Sequence, residues 1–231
     1  FPTRRSSDLY GANAAGGVIN IITKSPFDGI KSVKAGYGDD NTQLYNAIYG
    51  DSLGETFFTL SGTRKSSDGW REWNEFRSNQ AGIKLGRLLG DDTSAEMNLF
   101  YTNADLQLPG TLSQTQFDQD IGQRTDQPWQ HSSRDSDVFF SSLRFEKNLG
   151  AFTLKPLFYL QAWEHFHPVT GSINDGGAVI FGGDVQGDLS HDLFGLGDTQ
   201  GFTGGIMRNG NLFFRLDERP GPGGEQETGE Q

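Results

Sequence analysis

The stretch from Leu9 to Lys24, LYGANAAGGVINIITK, decides how the rest of the chain is interpreted. Its second half, from Val18 to Thr23, is β-branched at nearly every position, and β-branched residues suit a pleated strand and resist helix. The apolar positions do not alternate with polar ones, which predicts a central strand covered on both faces. Asn20 is the exception, and as a buried amide it needs a hydrogen-bond partner.

Three glycines precede this strand, and they supply the backbone freedom for a tight turn or a close approach to another segment. They are Gly11, Gly16 and Gly17. A phosphate-binding loop needs its glycines after a strand and before a helix. Here the order is reversed, and Pro26 and Gly29 close the segment before any helix begins. The sequence therefore does not predict a dinucleotide site.

The same residues carry a family resemblance that runs without a gap from Leu9 to Lys24. Tyr10-Gly11 followed by Ala15-Gly16-Gly17-Val18-Ile19-Asn20-Ile21-Ile22-Thr23-Lys24 resembles the end of the plug domain of TonB-dependent outer-membrane receptors. The resemblance implies a small plug wedged inside a large β-barrel, with the first barrel strand soon afterwards. It also implies a structural role, fitting the plug against the barrel wall, for Tyr10, Gly11, Gly16, Gly17 and Asn20.

The first eight residues depart from the family, which usually reaches this motif through an Arg-Gly-Pro turn. Residues 1–8 are basic, polar and poor in strand signals, so we treat them as an unreliable edge. We predict the end of the plug at 9–29, the first part of a barrel at 30–218, and a disordered or loop tail at 219–231, which is rich in Pro, Gly and Glu.

The composition agrees with a sheet-rich protein and excludes several classes. Glycine accounts for 32 of 231 residues, hydrophobic residues for only 34%, and there are 18 Phe. No apolar run approaches the ~18 residues of a membrane helix, whereas barrel strands give a much weaker signal. The formal charge of −11 argues against nucleic acid as a partner. The absence of cysteine excludes disulfides and thiolate metal sites.

Alternating apolar and polar residues predict a series of strands of about eight to twelve residues, near the ~9 to 11 that a tilted strand needs to cross a bilayer. The clearest has Ala95, Met97, Leu99 and Tyr101 on one face and Glu96 on the other, which requires water on that second side. We count eight or nine such strands. A barrel filled by a plug needs about 22, so the second half of the barrel is missing from this chain.

The predicted connections alternate between short and long. Short turns are expected near residues 51, 88, 147 and 194, and longer loops at 65–76, 103–135 and 164–177. In an up-and-down antiparallel sheet every second connection lies at the same end, so one end is trim and the other elaborate, as in outer-membrane barrels. The predicted fold is all-β: a partial antiparallel up-and-down transmembrane β-barrel preceded by the end of a plug.

Two groups of side chains in the long loops are candidates for binding. Trp and Arg are favoured in binding hot spots, and by analogy with the family we expect solute contacts from Asp68, Trp70, Arg71, Trp73 and Trp129. The alternative for these residues is an aromatic girdle beside a solvated loop. His165 and His167, with Glu164 adjacent, raise a metal site, because residues i and i+2 share a face of a strand. The alternative is a polar loop base at the membrane edge, beside Trp163 and Phe166 in an aromatic belt.

No catalytic motif is present, and no enzyme, cofactor or resident metal is expected. The resemblance implies a receptor in the bacterial outer membrane that captures a scarce solute, such as a ferric siderophore or a cobalamin-like compound. Its expected partners are the solute, outer-membrane lipid and the TonB complex, which would engage a segment upstream. Two alternatives stay open: a passive porin or adhesin barrel, and a soluble β-sandwich. The sandwich predicts one buried core made of Met97, Leu99, Phe139, Leu143, Phe158 and Leu160.

Overall fold

The computed structural model describes residues 23–125, 131–169, 172–192, 198–205 and 208–214. Within these ranges the chain forms one sheet of ten antiparallel strands in which each of the first eight pairs with the next. Strands β9 and β10 both pair with β8, at different heights along it. The strands are β1 Lys31–Gly38, β2 Thr42–Leu53, β3 Thr56–Ser67, β4 Phe76–Leu88, β5 Thr93–Gln107, β6 Ser133–Asn148, β7 Phe152–Val169, β8 Ser172–Asp192, β9 Asp198–Gly205 and β10 Arg208–Phe214.

The all-β, up-and-down antiparallel prediction is confirmed, and the sheet does not close on itself, as a partial barrel requires. Its two faces differ in chemistry because successive side chains point to opposite sides. One face, which we call the outer face, carries an apolar band. Met97 lies opposite Leu85 on one neighbouring strand and opposite Leu143 on the other. The band is formed mainly by Leu60, Ile83, Leu85, Met97, Leu99, Leu143, Phe158 and Leu160.

Nothing in the described part of the chain covers this band. Phe158 is 54% exposed, and the only buried hydrophobic residue among those described is Ala178. The soluble sandwich predicted that the six band residues named for it would share a dry core. They lie on one open face instead, and Phe139, Leu143, Phe158 and Leu160 are all exposed. The prediction of a sandwich is therefore wrong.

The opposite face, which we call the inner face, is polar and charged. Glu96 lies directly opposite Arg144 in the register of β5 and β6. Lys155 Nζ lies 2.8 Å from an oxygen of Asp188 and 3.8 Å from one of Glu146. Charged groups in the middle of a sheet face require water on that side or paired partners, so this arrangement fits a wet interior.

The chain leading into β1 packs on the inner face. Pro26–Asp28 forms a 3-10 helix, and the hydroxyl of Ser25 caps it by accepting from the amide of Phe27. Pro26 is fully buried, and the ring of Phe27 meets that of Phe57 edge-on at 4.9 Å. A Cβ at Gly86 would lie 2.8 Å from both rings, so only glycine lets this segment lie so close to the wall.

The two ends of the sheet differ as predicted, with one correction. Strands β2 and β3 are joined by residues 54–55, β4 and β5 by 89–92, and β6 and β7 by 149–151. At the other end, residues 68–75 and 108–132 form long connections, and the second contains helix α1, Gln114–Gln119. The short turn expected near residue 194 falls largely outside the described residues.

The loop predicted at 164–177 is wrong. Strand β7 continues to Val169 and β8 begins at Ser172, so the two form a long hairpin of 18 and 21 residues. The His, Asn, Asp and Gly residues of this stretch resemble a loop in composition, but cross-strand pairing holds them in the sheet. The predicted strand length of eight to twelve is correspondingly too short for β4 to β8. No helix within the described ranges is long and apolar enough to cross a membrane.

Candidate functional site

Arg71 connects the two long loops at the elaborate end of the sheet. Its Nε and Nη2 donate to the carbonyl oxygen of Gln123 at 3.2 and 2.8 Å, and its Nη1 donates to that of Gly110 at 3.0 Å. The neighbouring amide of Glu72 donates to the carbonyl of Gly122 at 2.8 Å. Because a guanidinium offers several donors in a fixed plane, one side chain fixes both ends of the second loop to the first.

Trp73 makes a second connection between the same loops. Its indole Nε1 donates to the carbonyl of Ser132 at 2.7 Å, and its ring meets His131 edge-on at 5.3 Å. The guanidinium of Arg124 lies over the indole, 5.5 Å from its centre. Trp73 has φ of +59°, a left-handed conformation that is unfavourable for a bulky residue and persists only where surrounding contacts hold it. The indole contacts are such a restraint.

The other predicted binding residues have different surroundings. Trp70 is 59% exposed, and the Arg71 guanidinium lies 5.8 Å from its ring centre. Asp68 accepts a hydrogen bond from Asn41 Nδ2 at 3.2 Å. Trp129 lies outside the described residues. The structure thus brings Arg71 and Trp73 to one loop junction and leaves Trp70 accessible beside it, while solute contact by any of the five stays a prediction.

A cavity of about 280 Å³ opens next to this junction. Trp73 and Gln107 contribute to its wall, and most of its charged side chains are acidic. The one cation among them, Arg77, is paired with Glu75 at 3.0 Å. The lining residues are Trp73, Glu75, Arg77, Asp105, Leu106, Gln107, Ser133 and Asp135.

His165 and His167 lie on β7, in the part that extends past the apolar band, and both are on the inner face. His165 Nε2 lies 3.2 Å from Asn174 Oδ1, and its ring stacks on Trp163 with 5.1 Å between centres. His167 Nδ1 donates to the carbonyl of Ser133 at 2.6 Å. No group of three potential metal ligands occurs among the described residues. Phe166 points to the outer face, so Trp163 and Phe166 do not share one outward belt, and that interpretation is wrong.

Lys84 is a residue that sequence reasoning missed. It lies on the inner face of β4, is only 7% exposed, and donates to Thr23 Oγ1 and to the carbonyl of Lys24, both at 2.5 Å. It therefore ties the N-terminal segment to the wall. The available signal was a lone charge between Gly82 and Gly86, two positions on the same face where the absence of a side chain leaves room for another segment.

The expected plug motif lies outside the described residues. This applies to Tyr10, Gly11, Gly16, Gly17 and Asn20, whose role in fitting the plug to the barrel stays a prediction, as do the boundaries at 9–29 and 30–218. What the structure does describe is the last part of the connection, from Thr23 onward, on the inner face.

An open antiparallel wall with an apolar outer band, a charged inner face and an inward N-terminal segment has the fold of part of an outer-membrane receptor barrel. Solved structures bear this out. The chain resembles the ferric citrate transporter FecA in its unliganded form, with 16% identity and a TM-score of 0.59, over 70% of this chain and 25% of that one. It also resembles the siderophore receptor PiuA from Acinetobacter baumannii, with 14% identity and a TM-score of 0.64, over 82% of this chain and 32% of that one.

The likeness confirms the fold that the sequence resemblance implied. The chain spans about a quarter to a third of the length of these receptors. No protein-family model matches the sequence, and no curated protein sequence matches it either.

Proposed function

We propose that this chain is part of a TonB-dependent receptor of the bacterial outer membrane, which captures a scarce solute outside the cell and imports it. The solute would be a ferric siderophore or a cobalamin-like compound. Import would follow movement of a plug, driven by the TonB complex of the inner membrane through a segment upstream. Outer-membrane lipid would surround the apolar band.

The observation that carries this proposal is the attachment of the N-terminal segment to the inner face. Lys84 holds Thr23 and Lys24, while Pro26 and Phe27 pack against the wall at Gly86. The chain upstream of Thr23 therefore starts inside the curve of the sheet. A hydrophilic plug in that position is compatible with the charged inner face, and the backbone hydrogen bonds of a closed barrel are satisfied in lipid.

The loop junction supports solute capture at the elaborate end. Loops on a rigid scaffold commonly carry specificity, and Arg71 and Trp73 give the two loops a defined relative position. In this proposal Trp70, which is exposed at the junction, contacts solute directly. Arg71 and Trp73 act mainly by holding the surface on which Trp70 lies, and Asp68 and Trp129 remain candidates beside it.

A passive porin or adhesin barrel is the competing function. It has the same outer band but no need for a folded segment attached to the inner wall. Energised uptake separates the two. The full-length receptor, expressed in cells that lack their own iron-chelate receptors, should import radiolabelled ferric chelate only when TonB is present. Uptake that persists without TonB would support a passive pore and contradict the proposal.

A further inference from the structure

We infer that the inner face of the β6–β8 extension beyond the apolar band is a binding surface for an anionic solute, formed by Arg134, His165 and His167. The inference rests on the proposed function and narrows its substrate class to negatively charged solutes, such as a polycarboxylate or its metal chelate.

The first support is the segregation of charge between the two faces at this end. The strands alternate strictly, so Arg134 and Ser136 share the inner face, whereas Asp135 and Asp137 share the outer one. On β7, Glu164 points outward and the residues on either side of it point inward. The outward carboxylates at this end are Asp105, Asp135, Asp137, Glu164 and Asp175.

The register places these outward carboxylates next to one another. Asp105 lies opposite Asp135, and Asp137 lies opposite Glu164. On the inner face of the same strand segments, β4 to β8 have no carboxylate beyond the band among the described residues. Despite a net charge of −11, the wall that lines the entrance is therefore positive or neutral, and an anion approaching along it meets no repelling neighbour.

The second support is the orientation of the two imidazoles. A backbone carbonyl can only accept, so the 2.6 Å contact to Ser133 places a proton on His167 Nδ1 and directs the other edge of the ring away from that bond. His165 is held between the ring of Trp163 and the amide of Asn174. Both rings are thereby fixed by partners on neighbouring positions, as pre-organised binding groups are.

The third support is space in front of these rings. Strand β8 contributes small residues opposite them: Gly176 pairs with His165, and Ala178 pairs with Trp163. A Cβ placed at Gly176 would meet only His165 Cε1, at 3.9 Å. The ring edges are therefore not covered by bulky side chains from that neighbouring strand.

The test uses the full-length receptor in detergent, with metal-free citrate and ferric citrate as anionic probes and a neutral ferric trihydroxamate as the comparison. The inner variant is Arg134→Gln with His167→Gln. The matched control is Asp135→Asn with Glu164→Gln, which changes neighbouring residues on the same strands but on the outer face. Binding is measured by calorimetry at two salt concentrations, and a thermal melt checks that each variant is folded.

Charge-assisted hydrogen bonds are about twice as strong as neutral ones, so the inner variant should lose roughly tenfold or more in affinity for the anionic probes, and its binding should depend less on salt. The neutral chelate should bind it unchanged. The control should bind the anions as well as the wild type or slightly better, because it removes negative charge.

Equal losses for the inner and outer variants, equal losses for anionic and neutral probes, or no anion binding by the wild type would each overturn the inference. Anion binding that follows the predicted pattern without TonB-dependent uptake would support the inner surface while contradicting the proposed function. Failure of the inference and failure of the proposed function are thus distinguishable.

Discussion

The two faces of this sheet are built from the same strands, yet they impose opposite requirements on their residues. On β6, Leu143 lies in the apolar band and its neighbour Ser142 lies on the inner face, where it accepts from Asn98 Nδ2 at 3.1 Å. One residue of displacement separates a position that contacts lipid in our account from one that contacts water. A strand that alternates in this way has no need of a buried core, because the bilayer takes the place of a core on one side.

The largest effect should come from charge placed in the band. Leu143→Arg in the full-length receptor should lower the free energy of unfolding in lipid vesicles by about 2–4 kcal/mol, the range for arginine at the bilayer midplane. The control, Ser142→Arg, places the same side chain one residue away on the wet face and should cost much less. Similar losses for the two variants would break the distinction between the faces.

The next effect should come from the anchor on the inner face. Lys84→Met removes two hydrogen bonds from a charged donor, each with a net value of about 1.5–3 kcal/mol. Hydrogen-exchange protection of Phe27 and Asp28 should fall as the segment loosens from the wall. Lys34→Met, an exposed lysine on the inner face of β1, is the control and should leave that protection intact. Unchanged protection in the Lys84 variant would show that the anchor lies elsewhere.

A smaller, local effect is expected at the loop junction. Arg71→Ala removes three hydrogen bonds, so the amide of Glu72, which donates to Gly122, should exchange roughly tenfold faster, the equivalent of about 1.4 kcal/mol. The global melting temperature should hardly change. Trp70→Ala should reduce solute affinity and leave the exchange of Glu72 as it is. If Trp70→Ala left affinity unchanged, direct contact by Trp70 would be excluded.

The smallest effect is expected for a charge at the rim, outside the band. The Lys147 ammonium, 3.0 Å from the Asp92 carboxylate in the turn before β5, lowers the pKa of Asp92 by its hydrogen bond, assisted by the Thr93 hydroxyl. A lowered pKa in the folded state means that the contribution is present above the ordinary carboxyl pKa of about 4 and is lost as the pH falls below it.

Both partners are exposed, so water and salt screen the pair. Asp92→Asn should leave the melting temperature at pH 7 nearly unchanged and slightly reduce the loss of stability on acidification. A large drop at pH 7 would mean that the rim resembles the band, against the comparison of the faces.

Alternation alone predicted the architecture, because residues such as Met97 and Leu99 must share a face once a strand is formed. Glu96 correctly indicated which side is wet. The long β7–β8 hairpin could not be predicted, since the polar residues near His165 and Asn174 have weak strand preference and are held by pairing with distant partners. Lys84 could not be assigned either, because its role depends on a contact with Lys24, sixty positions earlier in the chain.

The loop residues show the same limit. The sequence singled out Arg71 and Trp73 by residue type, and the structure places both at the loop junction, but their partners are backbone carbonyls of Gln123, Gly110 and Ser132. Carbonyl groups occur at every position, so no sequence pattern identifies which of them a guanidinium or an indole will meet. Residue type predicted that these side chains matter, not what they contact.

The central claim is that the apolar band faces lipid and the opposite face lines a water-filled interior. Spin labels at Leu143→Cys and Ser142→Cys of the full-length receptor, reconstituted in lipid vesicles, test it directly. The label at 143 should collide mainly with lipid-soluble oxygen and the label at 142 mainly with a water-soluble nickel chelate. Equal exposure of both labels to the nickel chelate, or the reverse preference, would contradict the account.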